Sequence, residues 1–309
     1  MTKLPHVHIL MATFNGASFL QEQLRSLLAQ SHRNWSLWVS DDGSTDATRR
    51  ILRDFQRAHP QIEIHIFDGP CAGYAQNFLS LLRHPDLPKG YVALSDQDDV
   101  WLPHKLERAL RHLTEHADQG VALYGSRTRI VDEWLNDWQL SPAFGHPPSF
   151  TNALVQNIMG GNTQVLSPAA VGVVQSVTDV SEVFSHDWWL YQLITGCGGK
   201  VIFDRVPGLL YRQHSNNAVG ANLGTFAKLR RIGMVLKGRF RHWINENIRV
   251  LHRVSALLTP ENRLILDEFR LSRHQRGLVA WASYRRLGLS RQTVGGNISL
   301  FLAATLGKI

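Results

Sequence analysis

Tyr91-Val92-Ala93-Leu94-Ser95-Asp96-Gln97-Asp98-Asp99 is an apolar run that ends abruptly in three carboxylates, with Val100-Trp101-Leu102-Pro103 behind it. Four apolar residues bounded by polar ones read as a buried strand whose last residues emerge at a sheet edge. Three acids so close together repel one another. A divalent cation such as Mg2+ or Mn2+ relieves that repulsion, because hard cations take oxygen ligands and keep positions open for substrate phosphates. A solvated acidic turn that caps the following helix is the other reading. The stretch alone does not choose between the two.

Upstream, strand and helix patterns alternate. Val7 to Ala12 reads as a first strand, left through the loop Thr13-Phe14-Asn15-Gly16. Ser18 and Gln21 have capping-box spacing, with Phe19, Leu20, Leu24, Leu27 and Leu28 at helical intervals. A second strand, Trp35 to Val39, ends in Ser40-Asp41-Asp42-Gly43-Ser44-Thr45-Asp46, and Ile51, Leu52 and Phe55 mark the next helix. Ile62 to Phe67 is a strand, Tyr74 to Leu82 a helix, and Pro103 to His116 another helix after the Tyr91 strand. This alternation predicts an α/β fold with a mainly parallel sheet and helices on both faces. Ligands of such sheets bind outside the carboxyl ends of the strands. Asp41, Asp42, Asp96, Asp98 and Asp99 would line one crevice there.

Beyond Val121 to Arg129, a further strand, the pattern loosens. Asp132 to Phe150, with Trp134, Trp138 and four Pro or Gly residues, reads as a long loop able to cover a site. Met159-Gly160-Gly161-Asn162 precedes a short strand, Thr163 to Leu166, and a helix, Pro168 to Val177. Those glycines suit either a plain turn or close approach of backbone to a ligand. Ser185-His186-Asp187-Trp188-Trp189 opens a helix that ends at Gly196, and two short strands, Val201 to Phe203 and Leu209 to Tyr211, lead to Arg212-Gln213-His214.

The charge is unevenly spread over the 309 residues. The whole chain carries +8, yet residues 225–309 hold sixteen Lys or Arg against four Asp or Glu, a net +12, which leaves −4 for residues 1–224. This divides the chain into a mildly acidic catalytic body, 1–224, and a basic helical region, 225–309. Leu229, Ile232, Leu236, Phe240, Trp243, Ile244, Ile248 and Leu251 have helical spacing, with arginines mostly on the other faces. Such a helix suits an anionic membrane surface, or it packs on the body with a solvated basic face. With two distant cysteines, Cys71 and Cys197, no apolar h-region at the start and no apolar run of spanning length, a cytoplasmic chain is expected, peripheral on the inner face of the membrane.

Ala12-Thr13-Phe14-Asn15-Gly16, Ser40-Asp41-Asp42-Gly43-Ser44, Asp96-Gln97-Asp98-Asp99 with Trp101-Leu102-Pro103, and His186-Asp187-Trp188-Trp189 together resemble glycosyltransferase family 2, with the GT-A fold, over residues 5–220. The Gln within the acidic motif and the His-Asp-Trp-Trp run resemble its rhamnosyltransferase branch. The resemblance implies that Asp41 binds the base of a nucleotide sugar, with Thr13, Asn15 and Asp96 near the nucleotide. It implies a divalent cation on Asp96 and Asp98 with His214, Asp99 as a supporting or capping acid, and Asp187 as the general base. Gly161, Trp188 and Trp189 would meet the acceptor. Where the family more commonly has Glu-Asp, this chain has His186-Asp187, and the role of His186 stays open.

The expected function is inverting transfer of L-rhamnose from dTDP-rhamnose to a saccharide, lipid-linked, in cell-surface polysaccharide synthesis. Three alternatives stand beside it: the same fold with a UDP-hexose donor, a non-catalytic saccharide- or nucleic-acid-binding module supported by the basic tail alone, and a nucleotidyltransferase. The last would carry a Gly-rich, basic phosphate loop after its first strand, which Thr13-Phe14-Asn15-Gly16 is not. Nucleic acid is not an expected partner of the leading reading.

Overall fold

A computed structural model describes residues 5–115, 120–214, 239–307 and 309. Its nine strands form one sheet. They are β1 (Val7–Thr13), β2 (Trp35–Asp41), β3 (Ile64–Asp68), β4 (Tyr91–Ser95), β5 (Val100–Trp101), β6 (Ala122–Val131), β7 (Asp137–Leu140), β8 (Val165–Leu166) and β9 (Lys200–Arg212), in the order β3-β2-β1-β4-β8-β6-β9-β5 with β7 on β6. The pairs β1–β2, β1–β4, β2–β3 and β6–β9 are parallel. Short β8 joins the two parallel groups by antiparallel pairing with both β4 and β6.

Period-two alternation explains why β1 reads as a continuous apolar run. Val7, Ile9 and Met11 point into one core, whereas Leu10 and Ala12 point into the other. The same split divides Leu37 and Val39 from Trp38 on β2, and Ala93 from Val92 and Leu94 on β4. Strands covered on both faces need apolar residues at every position. One face is covered by α1 (Leu20–Leu28), α2 (Thr48–Ala58) and α4 (Lys105–Thr114), and the other by α3 (Tyr74–Leu82), α6 (Pro168–Ser176) and α7 (His186–Gly196), with the single turn α5 (Phe150–Ala153) beside α7.

Several expectations change. Ser18 does not cap α1, whose N-cap is Phe19 without a side-chain hydrogen bond. The two short strands expected between Val201 and Tyr211 are one 13-residue strand, β9, with a register shift opposite Ser126 and Thr128. The loop from Asp132 contains a hairpin strand, β7, on which Trp138 is exposed.

The basic region forms α8 (Arg239–Arg253), α9 (Pro260–Ser272), α10 (Gly277–Arg286) and α11 (Val294–Thr305). The boundary at 224/225 and the start of the amphipathic stretch at Leu229 lie outside the described residues. In α8, Ile244, Ile248 and Leu251 are buried in a third core with Phe150, Leu154, Val155 and Trp188. Of the two readings of this stretch, packing on the body is the one that Ile244, Ile248 and Leu251 follow. No helix among the described residues is long and apolar enough to cross a membrane.

Candidate active site

Strand register brings the motifs to one edge. Thr13 at the end of β1 pairs with Asp41 at the end of β2, and Ser95 at the end of β4 pairs with Met11. The β1 and β4 loops thus leave the sheet side by side where the chain switches direction, the position at which open α/β sheets form a crevice. Gln97 locks the two loops together. Its Oε1 accepts from the Phe14 amide at 2.9 Å, and its Nε2 donates to the Phe14 carbonyl at 2.9 Å. A Cβ on Gly16 would stand 2.1 Å from Gln97 Oε1, so the glycine is required by this crossing.

On the β2 side, the buried Asp41 carboxylate accepts from Thr13 Oγ1 at 2.9 Å and from Ser44 Oγ at 2.6 Å. Asn15 takes a left-handed conformation, φ 46°, which Asn tolerates better than most residues. Its amide donates to Ser44 Oγ at 2.8 Å and its Oδ1 accepts from the Thr45 amide at 2.9 Å. Thr13, Asn15 and Asp41 therefore form one hydrogen-bonded shelf. Asp42 instead accepts from the amides of Cys71 and Gly73, at 2.7 and 2.8 Å, and shapes the loop ahead of α3.

The carboxylates of Asp96, Asp98 and Asp99 approach within 4.8 Å of one another. Asp99 is fully buried and accepts from Asn162 Nδ2 at 2.6 Å and the Arg212 amide at 3.3 Å. It caps no helix, since α4 begins after His104. Asp98 meets His214 Nε2 at 2.9 Å, because antiparallel pairing of β5 with β9 brings the chain around Asp99 beside the end of β9. Burial, then the charges of Asp98 and Asp187, push the Asp96 pKa up to about 8; burial, with Asp98 and Asp96, holds Asp99 well above its usual range. Three oxygen donors so placed, with an imidazole on the second, fit a hard divalent cation.

Asp187 lies in the first turn of α7 and reaches the same crevice, its charge being one of those that raise Asp96. Its carboxylate accepts from Asn157 Nδ2 at 2.9 Å, the Trp188 amide at 2.7 Å and Ser185 Oγ. Tyr74, 40% exposed, feels both acids: burial first, then Asp187 and Asp96, raise its hydroxyl pKa. His186 points away from solvent onto Phe78, ring centroids 4.3 Å apart, with both ring nitrogens unpartnered and its pKa pushed down to about 4 by burial. A Cβ on Gly161 would stand 2.3 Å from His186 Nε2. That glycine's close approach is to His186.

Trp188 and Trp189 correct the expectation of apolar walls for an acceptor. At 6% and 1% exposure they are core residues, and Trp188 Nε1 donates to the Ala153 carbonyl at 2.7 Å. Period 3.6 turns both indoles inward once Asp187 faces the crevice. Two positions near the acids were missed from sequence. Lys105, first residue of α4, is buried with its Nζ 3.3 Å from the Trp101 ring centroid and no hydrogen-bond partner. Burial lowers its pKa well below the usual value, and Asp99 and Asp96 pull it only part of the way back. The available signal was a lysine at a helix N-terminus, where the dipole disfavours it. Arg212, also buried, donates from Nε to the Asp98 carbonyl at 2.9 Å and pairs with Glu22.

A family model described as "Glycosyl transferase family 2" matches residues 8–181, more than half of the chain. The chain belongs to glycosyl transferase family 2. It is 32% identical over 241 residues to the dTDP-rhamnosyl transferase RfbG of Shigella flexneri, covering 75% of this chain and 81% of that protein. TarS from S. aureus superposes with a TM-score of 0.56 at 15% identity, covering 91% and 90% of the two chains. The mannosyltransferase PcManGT of Pyrobaculum calidifontis, solved with GDP-Man and Mn2+, gives 0.53 at 16% identity, covering 99% and 86%. These two likenesses establish the GT-A fold. This family member is a glycosyltransferase with an acidic motif of the DxD kind at the crevice.

Proposed function

We propose that the protein transfers L-rhamnose from dTDP-rhamnose to a saccharide acceptor, lipid-linked, with inversion at the anomeric carbon and with a divalent cation bound. The observation that carries this reading is the meeting of Asp187 with the Asp96, Asp98 and Asp99 cluster in one crevice. The similarity to RfbG supports the donor. Asp41, Thr13 and Asn15 hold the nucleoside, and Asp96 and Asp98, with His214, hold the cation. A divalent cation held there would supply positive charge against the departing diphosphate. Lys105 and Arg212 keep the acids in place behind it.

Asp187 takes the proton from the acceptor hydroxyl as that oxygen forms its bond to C1 and the C1–O bond to phosphate breaks. Asn157 and Ser185 orient the carboxylate for this. Tyr74, and Trp134 and Trp138 of the exposed β6–β7 hairpin, offer the aromatic faces for sugar that Trp188 and Trp189 do not. Gly161 serves the acceptor side indirectly, by making room for His186 under Asp187. The enzyme works at the cytoplasmic face of the membrane, where lipid-linked acceptors are built.

Incubating the full chain with dTDP-rhamnose, a UDP-hexose or GDP-mannose, in Mn2+ or chelator, tests the reading through donor turnover and thermal shift. Turnover of dTDP-rhamnose in Mn2+ alone is expected. Preference for a UDP-hexose, or equal turnover in chelator, overturns the donor or the metal respectively.

A further inference from the structure

Helices α8 and α9 converge on a cleft of about 600 Å³ lined by five guanidiniums, those of Arg241, Arg249, Arg253, Arg270 and Arg273, and by two imidazoles. On α8 the arginines recur at four- and eight-residue intervals, which stacks them on one face. Like charges four apart, as Arg249 and Arg253 are, disfavour a helix. Some are offset. Arg249 pairs with Glu246 at 3.0 Å, and Arg253 with Asp179 at 2.7 Å and Glu182 at 3.0 Å. Arg241, Arg270 and Arg273 have no ion pair among the described residues. The Arg273 Nε is buried without a hydrogen-bond partner, and its pKa is pushed down to about 10, by burial first and by the charge of Arg241 as well. Asp267, 3.1 Å from the cleft's His252, is a fourth nearby carboxylate; five guanidiniums against four acids leave a net positive charge, part of it at the buried Arg273 Nε, where an anion would bring most relief.

We propose that this cleft binds a phosphate group, as a phosphate ester or a diphosphate. Guanidinium forks match phosphate oxygens two at a time, and clustered arginines on facing helices can engage several oxygens of one ligand. Either a lipid headgroup or a free phosphate compound offers that chemistry. Leu271 and Leu306, sequence neighbours of Arg270 and of Gly307, whose carbonyl accepts from Arg241, are exposed. Asp179 and Glu182, held by Arg253 and Arg249, belong to the segment that runs into Ser185 and Asp187. An anion in the cleft would therefore adjoin the segment that leads to the proposed base.

Two binding measurements on the full chain test this, both in chelator so that the acidic crevice holds no cation. One titrates inorganic pyrophosphate by calorimetry. The other sediments the protein with vesicles of phosphatidylcholine alone or with added phosphatidylglycerol. The double variant Arg270→Gln/Arg273→Gln is compared with Arg50→Gln/Arg53→Gln on the exposed basic face of α2, which removes the same charge elsewhere. At about fivefold per cation lost, the cleft variant should bind roughly 25-fold more weakly, and the α2 variant should bind like the wild type. Arg270→Lys/Arg273→Lys, folded by circular dichroism, should retain part of the affinity, which separates charge loss from misfolding. Pyrophosphate binding without vesicle binding points to a free phosphate, and cleft-dependent binding to phosphatidylglycerol vesicles to a headgroup; each supports the inference. No binding of either probe by the wild type, or equal loss in the two double variants, overturns it. Because the readout is binding, failure of the sugar-transfer reading leaves this result unaffected.

Discussion

The acidic crevice and the basic cleft pose opposite electrostatic problems. In the crevice, three carboxylates on the loop that leaves a strand end meet Asp187 from the first turn of α7, and Lys105 and Arg212 pack behind them. In the cleft, arginines gather on two helices and are compensated from the side, by Asp179, Glu182 and Glu246. Backbone hydrogen bonds through nine strands fix the first set, whereas packing of amphipathic helices fixes the second. The lesson is that concentrated charge marks a site where rigid structure or burial prevents the groups from spreading apart.

Removing one acid is the harshest way to break the comparison. Asp98→Asn should lower transfer by more than about a thousandfold, as several kcal/mol of charge stabilisation go with the cation, while the melting temperature in chelator stays the same or rises. Activity in that variant equal to the wild type would remove Asp98 from the metal site. Asp187→Asn should cut kcat by about 10²–10³-fold with little change in donor KM, since only the proton transfer is affected. Steady-state kinetics with varied donor check this, and a rise in donor KM at constant kcat would instead make Asp187 a donor ligand.

For the helical half, Leu251→Ala should cost about 2–5 kcal/mol, because Leu251 is fully buried in the core that α8 shares with α5 and α7. Urea unfolding should show one transition. Two transitions would mean that the basic helices fold apart from the body. The mildest effect lies at the far end of β1, where His8 is buried and its pKa is pushed down to about 4 by burial first and the His6 charge next. Between pH 6.5 and 4 the unfolded chain takes up a proton at His8 that the folded chain refuses. That part of the stability is present above about pH 6.5 and falls on acidification, by at most about 1.4 kcal/mol per pH unit. Melting temperatures from pH 7.5 to 4 should therefore drop more steeply in the wild type than in His8→Gln; parallel curves would show that His8 is protonated in the fold.

Much of this was legible along the chain. The βα alternation, the loops at the carboxyl strand ends and the tail's charge follow from local spacing. The partners of those residues were not legible. Gln97 against Phe14 spans 83 positions, and Arg212 against the Asp98 carbonyl spans 114. Trp188 and Trp189 were misassigned because a short aromatic run gives no sign of which side of a helix the core occupies.

Asp96 to Asp99 illustrate the division. The sequence by itself determined that three acids end a buried strand, since an apolar run needs a covered sheet and carboxylates need water or a cation. Only the tertiary structure decided their separate parts. Asp98 faces His214, Asp96 faces Asp187, and Asp99 turns inward to hold Asn162 and the Arg212 backbone. Those parts depend on β5 pairing with β9 from more than a hundred residues away. Local propensity carries no information about contacts at that range.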